Sequence, residues 1–162
     1  MSAPAPQGVR PLVALGFATV AFIALLIFGL GMLSLLLDAD VIGVPGLGQV
    51  PGVVGTVLAT ASFAAVLWAG LRRAGAGLRP SFLGALWCAV AAFLGYVLGV
   101  WLGAVFSGSD LAASAAAAGG VAAGWFGAVV AGAGFVAGWG GIALVRTRAG
   151  RPRWPWESDD DE

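Results

Sequence analysis

Long apolar runs and short polar interruptions alternate along this chain at a spacing set by membrane thickness rather than by one amphipathic stripe. The runs cover Leu12–Leu37, Gly52–Leu71, Ser81–Phe106 and Val121–Val145, and none contains Asp, Glu, Lys, Arg or His. At about 1.5 Å per residue, the 26 residues of Leu12–Leu37 would reach about 39 Å. A hydrocarbon core of about 30 Å needs about 20 residues, so each run is long enough to span it. The pattern predicts an all-α membrane protein, a four-transmembrane-helix antiparallel bundle over 12–145. A disordered lead-in over 1–11 and a tail over 146–162 flank it.

Proline marks the expected helix starts, with Pro11, Pro51 and Pro80 at or just before a first turn, where no intrahelical N–H is lost. All eight prolines lie outside the apolar interiors, so no span carries a proline break of the kind that marks transporter helices. Leu111–Gly120 is nearly all Ala, and Gly119-Gly120 marks a kink or interruption that leaves the start of the fourth helix open.

Charge orients the runs. All eight basic residues are arginines: Arg10 precedes the first run, Arg72, Arg73 and Arg79 follow the second, and Arg146, Arg148, Arg151 and Arg153 follow the fourth. The other two connections carry only Asp38, Asp40 and Asp110. Basic residues in alternate short loops place those loops in the cytoplasm, which predicts a bacterial inner-membrane protein with both termini inside. The first run is too long for a signal-peptide core of about 7–15 residues and reads as an uncleaved span.

A mean hydropathy of +0.97 and 10% charged residues set the chain far from soluble domains, which are about 25% charged. With no His and one Cys, it has no imidazole base, no thiolate metal cluster and no intramolecular disulfide. Asp38, Asp40 and Asp110 read as loop charges, since calcium sites take six or more oxygens. No enzyme, cofactor or metal site is expected, and no basic patch beyond the topological arginines suggests nucleic acid.

Small residues supply the main candidates. Gly95-xxx-Gly99-xxx-Gly103 lines one face of the third run, and Gly120-xxx-Gly124-xxx-Ala128-xxx-Gly132 one face of the fourth, beside Gly134-xxx-Gly138. In lipid, close backbone packing is a principal source of helix association. These stripes predict packing of the third span on the fourth in preference to a homodimer or partner interface. Tyr96 is the most polar large residue deep in a span and lies at the depth of Thr60 and Ser62. A hydrogen bond to one of those hydroxyls or to a backbone carbonyl is expected. Trp68, Trp101 and Trp139 are placed as interface anchors, while Trp87 and Trp125 sit deeper, where they would pack between helices. In the tail, Arg146, Arg148, Arg151 and Arg153 can hold anionic headgroups beside interfacial Trp154 and Trp156. The acidic end extends into the cytoplasm and reads as a solvated stop-transfer tail in preference to a docking motif for a cytosolic partner.

Two local motifs, Leu33-Ser-Leu-Leu-Leu-Asp-Ala-Asp-Val-Ile42 and Arg151-Pro-Arg-Trp-Pro-Trp-Glu157, resemble uncharacterised four-helix integral membrane proteins of actinobacteria, grouped as a domain of unknown function. The resemblance implies topology and no activity, substrate or catalytic residue. The residues themselves favour an accessory or structural protein that packs with other membrane proteins through small-residue helix faces. The alternative is a small transporter or channel subunit for an uncharged solute.

Overall fold

The computed structural model describes residues 9–42, 48–73 and 82–146. Five helices account for nearly all of them: α1 (Pro11–Leu37), α2 (Val50–Arg73), α3 (Phe82–Phe106), α4 (Leu111–Ala123) and α5 (Trp125–Arg146). Four of these, all but α4, are long and apolar enough to cross a membrane. The fourth long apolar helix covers Trp125–Val145, four residues inside the expected start at Val121. Helix begins ten residues before Val121, at Leu111, and is divided by Gly124 into α4 and α5.

Local chemistry sets the ends. Pro11 opens α1 behind an extended Arg10, and Asp38 closes it in the left-handed region at φ 47°, ψ 44°. Ala39 N–H reaches back to the Ser34 carbonyl at 3.2 Å, and the Ser34 hydroxyl donates to the Ala39 carbonyl at 2.7 Å. Gly108, at φ +84°, makes the turn after α3, a backbone conformation in which a Cβ is strained. Asp110 then caps α4, its Oδ1 accepting from Ala113 N–H at 2.7 Å.

Gly124 is extended (φ −91°, ψ 171°) and separates α4 from α5. A Cβ there would lie 2.7 Å from the Gly120 carbonyl oxygen, and one on Gly127 would lie 2.6 Å from that of Val121. The last carbonyls of α4 thus fold over two glycines and have no next turn of their own helix to bond.

The α2–α3 seam is the most extensive in the molecule. Gly95 meets Leu58 and Ala59, Gly99 meets Gly55, and Gly103 meets Pro51, so these two helices run in opposite directions. The same logic pairs Gly134 and Gly138 of α5 with Ala92 and Cys88 of α3, and Val129 and Gly141 of α5 with Gly29 and Ala18 of α1. Phe22 of α1 stacks on Phe63 of α2, centroids 4.6 Å apart, worth about 0.5–1.5 kcal/mol beyond burial. In α1 the buried residues are Ala14, Ala18, Phe22, Leu26 and Leu30, a four-residue repeat that lays one face of the helix on the bundle. By this register Arg10, the arginine end of α2 and Arg146 share one end of the bundle, and Asp38 and Asp110 the other.

Candidate functional site

Among the sequence candidates, the α3 stripe is the most tightly engaged, but its partner is α2. A Cβ on Gly95 would stand 2.7 Å from Ser62 Oγ and 2.8 Å from the Leu58 carbonyl oxygen. On Gly99 it would stand 2.6 Å from Gly55 Cα, and on Gly103 2.6 Å from Pro51 Cα. The expected packing of this stripe on the fourth span is corrected, because α2 and α5 both offer small residues to α3 and α2 takes the Gly95–Gly103 face. The α5 residues that meet α3 and α1 belong to another register: Gly134, Gly138 and Gly141.

The Gly120–Gly132 stripe is not a packing face within the chain. Gly124 ends α4, while a Cβ on Gly120 or Gly132 meets nothing within 4 Å. The break at Gly124 divides the four-residue repeat, so Gly120 and Gly132 lie on different helices. With exposed Ala116, Gly119 and Ala128, they leave parts of α4 and α5 lined by small side chains and unused internally.

Tyr96 is buried, with 2% of its surface exposed, and its hydroxyl makes no hydrogen bond among the described residues. The expected bond to Thr60 or Ser62 is therefore corrected. Thr60 Oγ1 donates to the Thr56 carbonyl at 2.8 Å, and Thr56 Oγ1 to that of Gly52 at 2.9 Å. The Tyr96 ring lies more than a turn nearer the start of α2, its Cε2 3.3 Å from where a Gly55 Cβ would stand. Equal depth did not mean facing sides. Buried Ser114 is satisfied in the same local way, donating to the Asp110 carbonyl at 2.9 Å.

Trp68 sits beneath Arg72, whose Cζ is 5.8 Å from the ring centroid, and Trp139 stacks with Phe82 at 6.4 Å. Trp87 and Trp125 face outward, at 60% and 73% exposure, rather than packing between helices. Of the tail candidates only Arg146 falls within a helix; Arg148, Arg151, Arg153, Trp154 and Trp156 lie outside the described residues. So does the lead-in over 1–8.

Two apolar openings lie toward the arginine end. One, of about 320 Å³, sits between α2, α3 and α5 and is lined by Val66, Gly70, Trp87, Cys88 and Ile142. The other, of about 550 Å³, runs between α1 and α5 past Phe17, Ala21, Leu25, Val136 and Gly140. Neither is lined by an ionisable group other than Cys88.

Long apolar helices with glycine-packed seams, and with the Thr56, Thr60 and Ser114 hydroxyls bonded within their own segments, define a polytopic helical membrane protein. Residues 9–162 match the model of a family of unknown function (DUF6121), and the chain belongs to that family. No curated protein and no solved structure matches it.

Proposed function

We propose that this protein is an accessory or structural component of the bacterial cytoplasmic membrane that packs against another membrane protein through small-residue helix faces. One observation carries this reading: a Cβ on Gly119, Gly120 or Gly132 meets nothing within 4 Å. Glycine inside a helix costs about 1 kcal/mol relative to alanine, and facing lipid it returns no packing. A neighbouring backbone approaching closely would offset that cost. The Gly95–Gly103 face is already used inside the chain and is not part of the proposed contact.

Both termini face the cytoplasm in this reading. It is supported by Arg10 before α1 and the arginines of α2 and α5 at one end of the bundle, with Asp38, Asp40 and Asp110 at the other. The tail adds headgroup contacts and a surface for a cytosolic partner.

The test is mass spectrometry of the amino-terminally tagged protein purified from its native membrane in mild detergent. A stoichiometric companion is expected, and Gly120→Leu with Gly132→Leu should remove it. Loss on truncation after Gly150 would assign part of the contact to the tail. A chain that purifies without a companion overturns the accessory role.

The runner-up is a small transporter or channel subunit for an uncharged solute, and the break at Gly124 favours it. Broken helices present free backbone groups inside the membrane where they line a pathway. Flux of neutral solutes into liposomes, sensitive to Gly124→Leu, is the outcome this second reading requires.

A further inference from the structure

The groove between α1 and α5 has a depth, a width and a charged mouth that together specify an occupant. Leu25 forms its deep end on α1, and Val9 its outer end, next to exposed Arg10. From Leu25 to Pro11 the helix rises about 21 Å. Half of a bilayer, headgroups included, measures about 20–22 Å. The groove thus follows one leaflet from its acyl interior to its headgroups. Arg146 closes α5 at the same level, because Gly141 lies opposite Ala18.

Width decides between a lipid and a helix. Counting all the space between the atoms, about 1040 Å³ spread over that rise of about 21 Å averages about 50 Å² in section. A helix about 10 Å across needs about 80 Å². Its walls are apolar, and small Ala18, Ala21, Gly140 and Gly141 give it its hollow. No polar group within it asks for a polar solute.

The geometry points to this groove as a seat for one acyl chain of an anionic phospholipid, with Arg10 beside the headgroup. Arginine near the surface favours an anionic headgroup over a zwitterionic one, and the cleft orders the chain below it. The seat is independent of the partner faces on α4 and α5, so it stands or falls separately from the accessory role.

The full chain, reconstituted in vesicles of equal phosphatidylglycerol and phosphatidylcholine and released into mild detergent, is examined by native mass spectrometry. Wild type should retain phosphatidylglycerol in preference to phosphatidylcholine. Arg10→Gln should lower phosphatidylglycerol retention about five-fold, the weight of one basic residue at the surface. Gly140→Leu fills the groove without a clash, since a Cβ there meets nothing within 4 Å, and should abolish retention. Gly16→Leu, equally open but outside the groove, should leave retention unchanged. Equal retention of the two lipids by wild type, or wild-type retention by Gly140→Leu, overturns the proposal. A dimer that only Gly140→Leu converts to monomer would also overturn it, assigning the groove to a second copy.

Discussion

Gly99→Ala is the sharpest probe of how the bundle is held. The new Cβ would lie 2.6 Å from Gly55 Cα and 2.7 Å from the Val54 carbonyl oxygen, both backbone atoms that cannot rotate away. Carbon atoms pack at about 3.5–4.0 Å, so α2 and α3 must part by about 1 Å. A gap of that size forfeits a quarter to a half of each pairwise attraction of about 0.1–0.2 kcal/mol. Over some tens of pairs along the seam, the loss reaches about 2–3 kcal/mol. Alanine's better helix propensity returns up to about 1 kcal/mol, leaving a net loss of about 1–2 kcal/mol. The assay is reversible unfolding in mixed micelles with increasing dodecyl sulfate, followed by tryptophan fluorescence. The matched control is Gly132→Ala, where the new methyl meets nothing and only the propensity gain remains. Gly99→Ala should unfold earlier than wild type, and Gly132→Ala at the same point or later. If the two variants shift equally, or Gly99→Ala proves the more stable, glycine packing does not hold this seam.

Further outcomes follow from single contacts. Tyr96→Phe should leave stability unchanged or raise it by up to about 1–3 kcal/mol in the same assay, because the hydroxyl is buried with no hydrogen bond among the described residues; a clear loss would reveal a partner. Asp110→Ala should cost about 0.5–2 kcal/mol by removing the 2.7 Å bond from Ala113 N–H, with Asp110→Asn retaining most of it. Hydrogen exchange should show the loosening first in α4. Membrane-impermeant thiol reagent added outside intact cells, on a Cys88→Ala background, should label Ser107→Cys and spare Ala76→Cys; the reverse would invert the proposed orientation.

Four long apolar helices were legible because a span is written in some twenty consecutive positions and survives local ambiguity. The ends of α1 and α3 fall within a residue of the hydropathy boundaries, where Pro11, Asp38 and Ser107–Ser109 punctuate the chain. An interruption here was legible in Gly119-Gly120, but its place at Gly124 was not. Four glycines, at 119, 120, 124 and 127, are chemically able to host it. Which one does so depends on tertiary packing, with Phe93 of α3 against Gly127. The α3 stripe shows a second limit: periodicity names a face but not the helix that covers it. Tyr96 shows a third, since counting inward from span ends gives depth and leaves the azimuth open. The openings at the arginine end had no signature in the sequence, being absences made by small residues far apart in the chain.

The pairing of α1 with α5 has a consequence for biogenesis. Helix α1, made before the other four, packs more extensively on α5 than on its neighbour α2. At about 5–20 residues per second, the chain from Leu37 to Arg146 takes on the order of 5–20 s to make. Throughout that interval Ala18 and the groove-facing side of α1 await their cover, while α2 and α3 can already close on each other as a hairpin. Synthesis that stops before α5 leaves α1 held only by its contact with α2 and its other face bare in the membrane, the kind of surface by which an insertase or a membrane protease distinguishes an unfinished chain from a finished one.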